Sequence, residues 1–274
     1  MSRSFDAIDD VINCGSATIL DDLGPLTIAA WINPLSAGEG NFGCVCMKGD
    51  HTDSSGSKYY MAFDGAVGQT RLLFWITKTS PGDQLQRTSN SNVATGVWTF
   101  ASTTWDGSND FNNIHIYYNL SEVTYLSGTN ATSIPSDSSL SLGIGNDTGT
   151  GIQTFDGSIA YVQLWNRVLS VNEMAQAMRF PGSITKGLVG FWPLLGVSPE
   201  GDYSGNKNSG TVTGALVGTT NPPINRMFGA KRSRLWYSSF STTVAAGIAN
   251  TKLSVLPATK LSVLNSTKLT LVSG

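Results

Sequence analysis

Runs of alternating apolar and polar residues recur along this chain. Each is too short for a stable helix, and each is closed by a cluster of turn formers. "LTIAAWI" (26–32), "RLLFWIT" (71–77), "VWTFASTTW" (97–105), "NIHIYYN" (113–119), "SLSLGIG" (139–145) and "SIAYVQLW" (158–165) are rich in β-branched and aromatic residues. "PGDQ", "WDGSND" and "GNDTGTG" lie between them. Period-two patterning sends successive side chains to opposite faces of a strand, and Gly, Asn and Asp supply the tight turns. The pattern predicts an all-β chain of two packed antiparallel sheets, not a parallel α/β core. One helix interrupts it. "LSVNEMAQAM" begins at Ser170 with Glu173 three residues on, a capping box, and helix formers continue toward Pro181. A short amphipathic helix of this kind is expected to cap one end of the sandwich.

Charge divides the chain. Residues 1–202 carry all 19 acids and nine bases, whereas residues 203–274 carry eight bases and no acid. The last stretch repeats itself: "TKLSVL", "TKLSVL" and "TKLTLV" begin at Thr251, Thr259 and Thr267. Pro257 breaks the first repeat from the second, so one long central strand is excluded. Short strands like these cannot bury themselves and need a host surface, which a neighbouring sheet edge supplies. The expectation is a body over residues 1–229 and a basic extended arm over 230–274, with a disordered tail as the competing reading. Its assembly contacts would be Lys231, Arg232, Arg234, Lys252, Leu253, Lys260, Leu261, Lys268 and Leu269. The basic residues are too dispersed for a nucleic-acid patch.

Three cysteines, Cys14, Cys44 and Cys46, make no disulfide scaffold, and without nearby histidines they make no zinc site. They read as buried thiols, with Cys44 and Cys46 sharing one face of a strand. "SFDAIDD" (4–10) is too acidic for a signal peptide, and no run approaches the length of a membrane span. Synthesis in a reducing cytosol is therefore expected.

"FDGSIAYVQLWNRVLSVNEM" (155–174) resembles the signature of laminin-G-like, concanavalin A-like domains, in which a Phe-x-Gly strand leads into an Asn-Arg-x-Leu-Ser turn and a short helix. "SFDAIDDVINCGS" (4–16) and the following "GPLTIAAWINP" (24–34) are similar to the family's Phe-Asp-Gly-x-Asp-Asp-Tyr-Val strand and its successor. "GLVGFWPLLG" and "DYSGNKNSGTVTGA", within 187–215, resemble the pieces that usually open the domain, yet here they come last. The resemblance implies a circularly permuted concanavalin A-like jelly roll over about residues 3–229, a stand-alone form similar to modules that phages encode among their virion genes.

The same resemblance implies possible calcium at "GDYSGNKNSG" (201–210), through Asp202, Ser204 and Asn206. Oxygens at alternating positions in a Gly-bent loop suit a hard cation. Where the family commonly has Asp after the strand isoleucine, this chain has Ala160. Glycan binding uses exposed aromatics flanked by amides and carboxylates, and Trp105, Asp106, Asp110, Asn146 and Asp147 are the loop candidates, with Tyr59-Tyr60 beside them. Trp31, Trp75, Trp98, Trp165 and Trp192 lie inside strand patterns and read as core.

Catalysis is not expected. Glycoside cleavage needs two carboxylates around one bond. The four glutamates, Glu39, Glu122, Glu173 and Glu200, are isolated, and the pairs Asp9-Asp10 and Asp21-Asp22 would diverge if extended. The sequence thus points to a non-catalytic structural or decoration protein on a phage particle surface. It would dock through its arm on other virion subunits and copies of itself, with possible contact to surface glycans. The alternative is a lectin-like carbohydrate-binding module or adhesin, and a hydrolase is least supported.

Overall fold

The computed structural model describes residues 1–49, 58–77, 84–134, 136–149 and 151–224. The compact body runs from Met1 to Arg226. The basic arm expected over residues 230–274, Lys-Leu phrases included, lies outside the described residues.

Two antiparallel sheets form a sandwich, with strands numbered in chain order. Along the first sheet run β10 (Ser121–Glu122), β9 (Ile114–Tyr118), β8 (Thr99–Trp105), β3 (Leu26–Pro34), β13 (Asp156–Trp165), β1 (Arg3–Asp6) and β16 (Leu216–Val217). The second sheet runs β11 (Tyr125–Thr129), β7 (Gln84–Asn92), β6 (Arg71–Thr77), β5 (Lys58–Phe63) and β4 (Cys44–Lys48). It continues through β12 (Leu142–Ile144), β2 (Val11–Asn13) and β15 (Thr211–Thr213). β13 serves two partners on one side: β1 pairs with its first half, and β14 (Leu188–Trp192) with its second. A register irregularity between Ala160 and Gln163 separates the halves, with Tyr161 at φ 53° inside it. Bulges bend a strand and re-aim its side chains in this way.

Parity assigns the layers. On β6, Leu72, Phe74 and Ile76 enter the core between the sheets, while Leu73 and Trp75 belong to the opposite face with Arg71 at the same parity. Phe5, Phe63 and Phe155 meet at the centre of that core, Phe63 stacked on Phe155 at 5.7 Å. All nine residues of β3 are buried, because its outer face is also covered. The cover is the helix α1 (Val171–Arg179), whose Met174 and Ala177 pack with Trp31, Phe100 and Trp165. α1 therefore lies on the outer face of the first sheet and not at an end of the sandwich. The aromatic residues on the outward parity of β3, β8 and β13 need an apolar cover, which the sandwich ends do not. The capping box itself is complete, with Ser170 Oγ accepting from Glu173 N and the Glu173 carboxylate accepting from Ser170 N.

Cys44 and Cys46 do not share a face. A bulge against β5 shifts the register between them, so Cys44 faces outward and Cys46 inward. All three cysteines are buried and free. Burial pushes Cys14 and Cys44 well above the usual thiol range and Cys46 up to about 12, as expected of inert core thiols.

One ion pair stitches the two ends of this body together. Arg3 Nε donates to Glu200 Oε1 at 2.6 Å, and its remaining nitrogens donate to the carbonyls of Ala215 and Val197. Glu200, fully buried, also accepts from the backbone N–H groups of Leu195 and Gly196.

Candidate functional site

The outward face of the second sheet carries a groove of about 430 Å³, floored by β6, β7 and β11. Trp75 stands half-buried on it, against Tyr60 of β5 at 5.3 Å between ring centroids. Gln86 and Thr88 come from β7 by the same alternation. A further bulge, between Tyr125 and Ser127, breaks the register with β7 and leaves Leu126 exposed at the groove wall beside Ser127. At the other end Arg71 Nη2 donates to Asp64 Oδ2 at 2.6 Å. The turn there holds Gly65 at φ 77°, and a side chain at that position would collide with the Phe42 ring, 2.1 Å from its first carbon.

Three donors on this face are buried without an acceptor: Trp75 Nε1, Tyr60 Oη and Arg71 Nε. An unsatisfied buried donor costs about 1–3 kcal/mol, and three on one face need a reason. Two of them, Trp75 Nε1 and Arg71 Nε, belong to residues that line the groove, where an acceptor-rich ligand lying along Trp75 would meet them. Behind the groove Arg87 fixes the β7–β11 edge. Its guanidinium lies 3.4 Å from the Tyr125 ring centroid, and Nη1 donates to the carbonyls of Asn112 and Ile114.

The loop residues expected to bind sugar are placed differently. Trp105 is 2 % exposed and belongs to the core, its Nε1 donating to Ser108 O at 2.8 Å. The reason is the turn after it, which folds back so that its own carbonyl satisfies the indole and the ring can bury. Tyr59 and Tyr60 are buried as well. Asn146 and Asp147 are buried loop formers: Asn146 Oδ1 accepts from the backbone of Asp147 and Gln153, and Asp147 Oδ1 from that of Gly149 and Gly151. Asp106 and Asp110 shape local turns through Ser108 N and Asn112 N. No candidate of that set lines the groove. Phe42 does, and so does Trp75, assigned to the core by its strand context. Its parity with Arg71 was the available signal, since a charged residue marks the outer face of a sandwich strand.

The family scan matches residues 6–175, more than half of the chain, to the concanavalin A-like lectin/glucanases superfamily model Laminin_G_3. The chain belongs to this superfamily. A search of curated proteins finds no match to it. Among solved structures, a candidate carbohydrate-binding protein from Bacteroides ovatus superposes with a TM-score of 0.58 at 17 % identity over 82 % of this chain. The match spans 61 % of that protein's length. A heptameric pentraxin from Limulus polyphemus superposes with a TM-score of 0.51 at 13 % identity, covering 80 % of this chain and 95 % of that one. At such identities the likeness concerns the superfamily fold alone.

The calcium implied by the superfamily resemblance does not fit the loop proposed for it. Asp202 Oδ1 already accepts from the backbone of Phe191 and Ser204, and Oδ2 from Ser204 Oγ and Asn208 N. Asn206 turns its amide nitrogen toward Val189 O at 3.0 Å. Donors, not a cation, occupy these oxygens, and the loop is held as an Asx turn. Ala160 is fully buried among the apolar residues under α1, where an aspartate would be an unpaired buried charge. The adjacent acids also behave differently from extended pairs. A turn with Ala7 at φ 63° brings carboxylate oxygens of Asp6, Asp9 and Asp10 within 4.8 Å of one another. Burial and the charges of Asp6 and Asp9 push Asp10 up to about 6. Asp21 and Asp22 likewise converge on one end of the sandwich, toward Asp137.

Proposed function

We propose that this chain is a non-catalytic carbohydrate-binding module that holds a glycan along the groove on the outer face of the second sheet. The observation that carries the reading is the pair of acceptor-less donors, Trp75 Nε1 and Arg71 Nε, on residues that line the groove. A pyranose presents an apolar face to an aromatic ring and hydroxyl oxygens to donors at its rim, and Gln86, Thr88 and Ser127 extend the polar wall. Membership of a superfamily described by its lectins and glucanases supports the same class. Hydrolysis is disfavoured because the groove lining has one carboxylate among the described residues, Asp64, and Arg71 already pairs it. The test is a glycan array followed by calorimetry. Trp75→Ala should weaken the best ligand by about 5- to 150-fold, the roughly 1–3 kcal/mol of a stacking aromatic, with the fold intact. Unchanged affinity in that variant overturns the reading.

The setting we infer is the surface of a phage particle, where the module would join virion subunits or its own copies through residues 230–274. The charge split favours this second reading, an acid-free basic extension on a body whose residues 1–229 carry a net charge of −8. What supports a permuted chain order is the seating of β15 beside β2 and β16 beside β1. Deleting residues 230–274 should abolish co-sedimentation with particles, and retained co-sedimentation removes this reading while leaving the glycan groove untouched.

A further inference from the structure

A second cavity, of about 370 Å³, opens at one end of the sandwich, within the usual range for small-molecule sites. Its walls are of two kinds. Trp105, Ile76 and Ile134 supply apolar surface, while Tyr59, Asp22 and Asp137 bring polar groups. A side chain at Gly24 would begin 3.1 Å from the Trp105 ring, so the absence of one leaves the indole lining the pocket. Tyr59 is 2 % exposed, and its hydroxyl is buried without a partner.

Those charges do not balance among the described residues. Lys48, an inward-facing and fully buried lysine, donates to Asp21 Oδ1 at 2.5 Å and stands 3.6 Å from Asp137 Oδ1. One ammonium thus faces Asp21 and Asp137, and Asp22, hydrogen-bonded to Asp137, adds a third carboxylate. Asp22 and Asp137 fix one another, each backbone N–H donating to the other's carboxylate at 2.8 and 2.9 Å, and Ser136 Oγ adds a third bond at 3.0 Å. Such a pre-ordered pair loses little freedom on binding. Burial raises Asp137 above the usual carboxylate range, so a further positive charge beside it would relieve its desolvation.

We propose that this end pocket binds a small organic cation, a primary ammonium carried on an apolar or sugar body. The ammonium would meet Asp22 and Asp137, the body would lie on Trp105 and Ile76, and the Tyr59 hydroxyl would gain its missing partner. Anions are repelled by the surplus carboxylate, and neutral sugars leave it uncompensated. The pocket is separate from the Trp75 groove, and the two assignments stand or fall independently.

The test is ligand-observed NMR and calorimetry on the full chain. Glucosamine and cyclohexylamine serve as ammonium probes, with glucose and N-acetylglucosamine as neutral counterparts. At least one ammonium probe should bind about tenfold or more tightly than either neutral sugar. Response to glucosamine alone assigns a sugar body, to cyclohexylamine alone an apolar one, and to both the ammonium itself. Tyr59→Phe should weaken binding about two- to tenfold, the worth of one hydrogen bond, without lowering Tm, since it removes an unsatisfied group. Asp22→Asn, at an exposed position that does not hold Lys48, should weaken it about as much, and Trp75→Ala should leave it unchanged. Neutral sugars binding as well as the amines overturns the proposal. So does unchanged affinity in both Tyr59→Phe and Asp22→Asn, or no response to either amine where a ~10 mM site would be half filled.

Discussion

Replacing Glu200 with leucine should be among the most damaging single changes in the body. Its side chain is fully buried, and three donors end on it: Arg3 Nε and the backbone N–H groups of Leu195 and Gly196. In the variant Arg3 keeps only the carbonyls of Ala215 and Val197, so a guanidinium that is 6 % exposed stays charged without a counter-ion. Breaking a buried pair from one side costs about 3–5 kcal/mol, and each orphaned amide adds about 1 kcal/mol or more. The expected loss is therefore about 5–7 kcal/mol. For a body of this size, at about 2–4 °C per kcal/mol, Tm should fall by roughly 10–28 °C. Urea unfolding followed by tryptophan fluorescence measures the change directly. The double variant Arg3→Met/Glu200→Leu removes the stranded charge and should recover part of the loss, though not the amides' share. A loss below about 1 kcal/mol for Glu200→Leu, or a double variant worse than the single one, would refute the account of this pair as a paired charge in a dry seam.

Asp202→Ala should cost about 3 kcal/mol or more, since it strands the amides of Phe191, Ser204 and Asn208. A calcium chelator should leave the Tm of the unmodified protein where it was, because those oxygens are already filled by donors. Asp10 titrates near 6 in the folded chain against 3.8 in the unfolded one, so the native state holds its proton more tightly and stability falls as pH rises through that window. Asp10→Asn should raise Tm at pH 8 and match the parent below about pH 4, and a carbon-detected titration of Asp10 gives the midpoint directly. Ser170→Ala should lower stability by about 1 kcal/mol through loss of the cap on α1, measured by urea unfolding.

The strands, the sandwich and the capped helix were legible because each is written locally: alternation in "RLLFWIT", turn formers between strands, Ser170 and Glu173 at capping distance. What was not legible depends on events between distant segments or on single inserted residues. The bulge at Cys44–Cys46 flips one cysteine to the other face, and period-two reasoning has no way to locate a skipped register. Trp105 reads as a loop aromatic from its Asp-Gly neighbour, but whether a ring buries is decided by the packing around Gly24 and Phe74. The groove gathers β6, β7 and β11, and its marker, Trp75, differs from a core tryptophan only in which neighbours share its parity. Lys48 carries no local sign of burial, yet its inward parity delivers it to Asp21 and Asp137 from elsewhere in the chain.

The seating of β1 between β13 and β16, and of β2 between β12 and β15, has a consequence for how the molecule is made. On the ribosome the first strands emerge long before either neighbour exists, and they stay open-edged until the polypeptide has been translated past Val217. A nascent chain stalled between the helix and Glu200 would hold nearly every strand, yet it would lack the last staves of both sheets and the glutamate awaited by Arg3. Truncation there should give an aggregation-prone product, while the complete body closes in a single late step.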